Sequence, residues 1–279
     1  MKYSVLMSVY NKEKPAYLEA SLRSMVNQTV KPDEIVIVKD GKLTEELDLI
    51  INKFIESEST LFKLLSLEKN VGLGKALDAG LAICKNELVA RMDSDDISLE
   101  KRCEMQLLLF NKDKELDIVG TMIDEFYDEP KNIISSRIVP LKNHDIKKFI
   151  RRRSPFNHPT VMYKKSEVIR VGGYGELRRK QDLDLFSRMI NNNCKGENIN
   201  EALVLFRSNE DNFKRRKSWS YCKSYVLAQY TIWKRGHCNI VDLTIVTLGQ
   251  IIMFVSPMWL LKWLSNNFLR KTYKPEIGR

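Results

Sequence analysis

Leu88-Val89-Ala90-Arg91-Met92-Asp93-Ser94-Asp95-Asp96 is an apolar run that ends in a cluster of carboxylates. The apolar part reads as a buried strand, and a helical pattern begins near Leu99. Carboxylates crowded at a strand end repel one another. A hard divalent cation such as Mg²⁺ or Mn²⁺, together with a phosphate-bearing ligand, relieves that repulsion. Taken alone, Ser94 and Asp95 read more readily as the start and cap of the next helix. The segments on either side decide between the two.

Working outward, residues 4–10 form a short β-favouring run, followed by a loop from Asn11 to Pro15. Leu18, Leu22, Met25 and Val26 then repeat at helical spacing. Ile35-Val36-Ile37-Val38 reads as a second strand, stopped by Lys39-Asp40-Gly41, and residues 47–55 as a second helix. A third strand spans 62–67. The tight loop Asn70-Val71-Gly72-Leu73-Gly74 leads into a helix from Lys75 to about Cys84. This β-α-β-α-β-α-β order predicts an α/β fold with a mainly parallel sheet and helices on both faces. Asp40, the 70–74 loop and the acidic stretch would then share the carboxyl edge of the sheet, where such sheets bind ligands. The loop has only G-x-G, with Leu77 where a dinucleotide fingerprint needs a small residue, and no P-loop pattern exists.

Composition bounds the rest. The 279 residues, 43% apolar, describe a globular chain with an ample core, and the formal charge of +10 favours polyanionic partners. Five scattered cysteines without C-x-x-C argue against a disulfide framework or a zinc site. Lys2 leads directly into a strand-like run, so no signal peptide is expected. The basic runs lack aromatic or groove-reading companions, which argues against nucleic acid.

The second half is less regular. Residues 118–120 read as a core strand that residues 122–127 continue or accompany. Residues 143–153 look like a basic helix ending in Arg151-Arg152-Arg153, and Pro155-Phe156-Asn157-His158-Pro159 is a loop. Residues 160–163 read as a strand. A helix through Val168 ends at Gly172-Gly173, and an amphipathic helix opens at Gln181-Asp182. A carboxylate in a first turn is by itself an ordinary helix start.

In combination the motifs resemble family 2 of the nucleotide-sugar glycosyltransferases, inverting enzymes with the GT-A (Rossmann-like) fold. The resemblance rests on Ser8-Val9-Tyr10-Asn11, Asp40-Gly41, Asn70-x-Gly72, Asp93-Ser94-Asp95-Asp96, and Gln181-Asp182 after Gly172-Gly173-Tyr174. It covers roughly residues 1 to 210. It implies that Asp95 ligates Mn²⁺ or Mg²⁺ on the diphosphate of a nucleotide-diphosphate sugar, most commonly a UDP-sugar. Asp93 would lie near the ribose and metal. Asp40 would accept from the base ring, framed by the backbone of Val9, Tyr10 and Asn11. Asn70, Gly72, Lys75 and Arg91 complete the expected donor site, and Asp182 matches the catalytic base. His158, Gln181, Arg215 and Arg216 are candidates for acceptor or phosphate contacts, although a purely structural histidine fits His158 equally.

Two departures from the family stand out. Gln181 replaces the more usual Glu, so Asp182 alone would serve as base. Arg215-Arg216-Lys217-Ser218-Trp219 does not match the Q-x-x-R-W of processive synthases, which implies single addition. The expected organisation is a GT-A domain at 1–212, with a nucleotide-binding half (1–112) and an acceptor half (113–212). A basic, apolar helical region follows at 213–279. Residues 243–261 carry no charge, and their length approaches the roughly 20 residues of a membrane span. They read as an interfacial segment, a span, or a buried or oligomer-forming helix pair. The resemblance implies a cytoplasmic enzyme, peripheral at the inner face of the cell membrane, acting on a glycan or lipid-linked acceptor in capsule, exopolysaccharide or O-antigen assembly. A sugar-phosphate nucleotidyltransferase and an inactive membrane-surface scaffold are the alternatives.

Overall fold

A computed structural model describes residues 1–177, 179–208 and 217–257. Strands β1 (Tyr3–Val9), β2 (Glu34–Lys39), β3 (Phe62–Ser66) and β4 (Leu88–Asp93) alternate with helices α1 (Pro15–Val26), α2 (Glu45–Ser57) and α3 (Leu73–Ile83). All three strand pairings within the order β3-β2-β1-β4 are parallel. The first-half alternation read from the sequence is therefore present.

The residues explain the elements. Along β1 the side chains alternate between faces, so Tyr3, Val5, Met7 and Val9 enter one core cluster and Leu6 the other. The first cluster packs under α1 and α2, the second under α3. Helix α1 begins with Pro15, whose missing N–H costs nothing in the first turn. Thr44 caps α2 by accepting from the Leu47 N–H, and three acidic residues in its first turn suit the helix dipole. Gly80 of α3 lies so close to β1 and β2 that a Cβ there would come within 2.5 Å of Leu6 and Val38. Leu6 is wholly buried, and truncating it to alanine would cost roughly 2–5 kcal/mol.

Beyond β4 the sheet becomes mixed. Its full order is β3-β2-β1-β4-β8-β6-β9-β5, with β7 paired to β6. The added strands are β5 (Ile97–Ser98), β6 (Leu116–Phe126), β7 (Ile133–Arg137), β8 (Met162–Lys164) and β9 (Lys195–Arg207). Helices α4 (Arg102–Lys112), α5 (Asn143–Phe149), α6 (Lys165–Arg170) and α7 (Gln181–Asn191) connect them. Strand β9 is not evident in the sequence. Gly196, Asn198, Asn200 and Glu201 interrupt its apolar pattern, and register shifts against β6 break the alternation. Three boundaries also differ from the sequence reading. The helix expected near Leu99 starts at Arg102, because Ile97 and Ser98 pair with β9. The helix expected over 143–153 stops at Phe149. His158–Thr160 form a 3-10 turn ahead of β8, so the strand begins at Met162 rather than Thr160.

Two C-terminal helices, α8 (Trp219–Lys234) and α9 (Ile240–Val255), pack as a pair against α7 and the Arg151–Arg152 turn. Asp242, 1% exposed, is gripped by both Arg151 and Arg152 at 2.6 Å. Arg153 lies over the Phe149 ring. Arg151 and Arg152 therefore help to hold the appended helices. Among the described residues no helix is long and apolar enough to cross a membrane. Arg215, Arg216 and the end of the 243–261 segment lie outside the described residues.

Candidate active site

Strand order reverses beside β1, since β2 and β3 lie on one side of it and β4 on the other. A crevice outside the carboxyl ends of β1 and β4 is the usual ligand position in such a sheet. Ser8 and Asp93 are register partners at that end.

One wall is built around Asp40. Its N–H donates to the Val9 carbonyl at 2.8 Å. Its carboxylate accepts from the Val71 N–H at 2.7 Å, the Gly72 N–H at 3.1 Å and Asn70 Nδ2 at 3.0 Å. The Asn70-x-Gly72 loop is thus fastened to the end of β2. Gly41 and Gly72 have φ of +86° and +88°, which L side chains rarely adopt. Tyr10 and Asn11 are exposed just beyond β1, beside this wall. Lys75 pairs with Glu176 at 2.7 Å, two exposed side chains whose contact adds little.

The acidic stretch forms the second wall. Carboxylate oxygens of Asp93, Asp95 and Asp96 all lie within 4.8 Å of one another. Burial, then the charges of Asp93 and Glu13, push the Asp95 carboxyl up to about 7. Burial, then the charges of Asp95 and Asp93, raise Asp96 well above its ordinary range. Asp96 Oδ1 accepts from the Arg207 N–H, while its buried Oδ2 has no partner among the described residues. Closely spaced hard oxygens, one of them orphaned, fit a divalent cation.

Three arginines support this wall. Arg91, 1% exposed, pairs with Asp93 Oδ1. Arg102, fully buried, donates to the Arg91 carbonyl at 2.6 Å. Arg207 donates through Nε to the Asp95 carbonyl at 2.9 Å, with its guanidinium between the Tyr17 and Phe126 rings. Sequence reading missed both Arg207 and Glu13. Arg207 closes the apolar run Leu203-Val204-Leu205-Phe206, and a lone cation ending a strand is the signal available. Glu13 accepts from Ser94 Oγ at 2.6 Å, a contact that chain order cannot reveal.

The third wall carries Asp182. It stands in the first turn of α7, half-buried, and forms no ion pair or hydrogen bond with any described residue. The preceding Lys180 adopts a left-handed conformation, φ 62°. Its ammonium donates to the Tyr221 hydroxyl at 2.5 Å and lies 4.5 and 4.4 Å from the Tyr221 and Tyr225 ring centroids. Gln181 is buried against Gly74, where an added Cβ would sit 3.4 Å from Gln181 Cγ. The start of α7 therefore packs on the start of α3. Tyr174 links the walls, since its hydroxyl senses the charges of Arg91, Asp78 and Asp182. His158 bonds that hydroxyl at 2.9 Å, and burial with the Arg91 charge holds the imidazole neutral.

Comparison with known proteins bears on the family and the fold. The model described as "Glycosyl transferase family 2" matches residues 4–178. The chain is 39% identical over 258 residues to the UDP-Gal:alpha-D-GlcNAc-diphosphoundecaprenol beta-1,3-galactosyltransferase of Escherichia coli, covering 92% of each chain. It is 38% identical over 224 residues to the amylovoran biosynthesis glycosyltransferase AmsE of Erwinia amylovora, covering 80% of this chain and 83% of that one. Among solved structures, the mannosyltransferase PcManGT from Pyrobaculum calidifontis, in complex with GDP-Man and Mn²⁺, superimposes with a TM-score of 0.64. It shares 14% identity over 94% of this chain and 72% of that one. Residues 1–349 of S. aureus TarS give 0.61 at 19% identity, covering 96% and 73%. Those two likenesses concern the fold alone. With the family pattern matched over residues 4–178 and two relatives 38–39% identical over at least four fifths of each chain, the chain belongs to glycosyl transferase family 2 and has the GT-A fold.

Proposed function

We propose that the protein transfers one sugar from a UDP-sugar to a hydroxyl of a lipid-linked glycan acceptor, with inversion at the anomeric carbon. The observations that carry this reading are the close cluster of Asp93, Asp95 and Asp96 and an Asp182 that opens α7 without an ion-pair or hydrogen-bond partner among the described residues.

Each residue has a part. Asp40 fixes the 70–72 loop, which with the Val9–Asn11 backbone would frame the nucleobase. Arg91 orients Asp93 towards the ribose. Asp95, with Asp93 and Asp96, would hold Mn²⁺ or Mg²⁺, which when bound offsets the charge on the departing diphosphate. Asp182 removes the proton of the acceptor hydroxyl as that oxygen bonds to the anomeric carbon. The bond from that carbon to the β-phosphate oxygen breaks on the opposite face, releasing the nucleoside diphosphate. Attack opposite the leaving group inverts the configuration.

The Escherichia coli relative supports donor and stereochemistry, since its name pairs a UDP-sugar with a beta-linked product on a diphosphoundecaprenol acceptor. UDP-galactose with a GlcNAc-diphospholipid is accordingly the first substrate pair to try. Formation of a beta-linked product by NMR, abolished in Asp182→Asn while UDP binding persists, is the expected result. Full turnover in Asp182→Asn removes this residue from the base role.

A further inference from the structure

Helix α9 is inside-out. The residues it turns towards the protein are Asp242, Val246 and Gln250, at 1%, 8% and 7% exposure. Its outward face carries Ile245, Leu248, Ile251, Ile252, Phe254 and Val255, with Leu248 at 53% and Val255 at 68%. A helix of a soluble domain shows the opposite pattern. Trp219, Leu227 and Tyr230 of α8 extend the exposed apolar surface, and an apolar groove of about 440 Å³ runs between the two helices.

We propose that this outward face of α8 and α9 is a docking surface for an anionic lipid bilayer. Charge selects the occupant. Among described residues 217–257 the sole carboxylate is Asp242, and Arg151 and Arg152 cover it. With Asp242 so neutralised, exposed Lys223 and Lys234 give the apolar face a basic border. Anionic headgroups complement that border, whereas a second copy of a chain of net charge +10 would oppose it with like charge. Length selects the mode. At about 1.5 Å per residue, the 16-residue α9 is shorter than the ~30 Å hydrocarbon core, so it lies in the interface.

The surface is joined to the reaction centre. Tyr221 and Tyr225 of α8 hold Lys180, the residue before Gln181-Asp182. Docking would therefore set the height of Asp182 above the headgroups, where a lipid-linked sugar projects. This extends the lipid-linked-acceptor reading, but its test needs no turnover.

The test is flotation of the full chain with phosphatidylethanolamine/phosphatidylglycerol vesicles and with neutral phosphatidylcholine vesicles. Co-flotation with the anionic vesicles, weakened by high salt, is expected. Leu248→Glu/Ile252→Glu should reduce partitioning by about tenfold or more, with melting temperature and UDP binding retained. Lys223→Glu/Lys234→Glu should abolish the preference for anionic vesicles. Three results would overturn the proposal. The first is no flotation of the parent chain. The second is flotation lost in Trp259→Glu/Trp263→Glu but intact in Leu248→Glu/Ile252→Glu. The third is a dimer that Leu248→Glu/Ile252→Glu dissociates, with no vesicle binding.

Discussion

The backbone N–H of Arg207 donates to Asp96 Oδ1 at 2.8 Å, tying the end of β9 to a carboxylate 111 residues earlier. The side chain of the same residue reaches the Asp95 carbonyl. The last long strand of the domain thus braces the stretch on which the first half is organised.

Arg207→Ala keeps the backbone bond but removes the Nε contact and the packing between Tyr17 and Phe126. Those contacts are worth about 1–2 kcal/mol together. Mn²⁺-dependent UDP affinity should fall about tenfold, measured by calorimetry, with Arg207→Lys intermediate.

Asp95 gives the site a pH dependence. Its carboxyl is pushed up to about 7 in the folded protein, against roughly 4 in an unfolded chain. Between those values the folded state holds a proton that the unfolded state has released. Without added metal, stability should therefore fall as pH rises from about 4 towards 7. Cation binding needs the carboxylate, so Mn²⁺ affinity should drop about tenfold for each pH unit below 7. Melting curves at pH 5.5 and 8, with and without Mn²⁺, check both signs.

Gly41→Ala should be costly for its size. The position has φ +86°, and a Cβ would come within 2.7 Å of the Asn70 backbone nitrogen, which cannot swing aside. Left-handed strain alone costs on the order of 1 kcal/mol. The displaced 70–72 loop would also loosen Asp40. A melting temperature lower by several degrees, together with weakened UDP binding, is expected.

Lys180→Met removes the ammonium from between Tyr221 and Tyr225 and leaves a poorer left-handed residue before Asp182. Turnover should fall roughly tenfold or more with UDP affinity unchanged, because the donor walls are untouched. Lys180→Arg, which keeps the cation over the rings, should recover most of the rate.

The first half of the fold was legible because a parallel sheet needs apolar strands at regular intervals. Ile35-Val36-Ile37-Val38 and Leu88-Val89-Ala90 can be little else. The polar tips of those strands, Asp40 and Asp93–Asp96, were legible for the same reason. Strand β9 was hidden because Asn198 is buried by bonding the Pro140 and Pro155 carbonyls, so a polar residue occupies a core position. Arg151 and Arg152 read as surface charge because their partner Asp242 lies some 90 residues away. Contacts between residues so distant in the chain, Glu13 with Ser94 and Lys180 with Tyr225 among them, are made only by folding.

Calorimetric titration of the full chain with UDP, in Mn²⁺ and then in EDTA, tests the central claim most directly. Binding that requires Mn²⁺ and disappears in Asp95→Ala, while the variant melts normally, is the expected result. Equal UDP binding in EDTA, or in Asp95→Ala with Mn²⁺, would contradict the account of Asp93, Asp95 and Asp96 as the cation-holding wall of a nucleotide-sugar site.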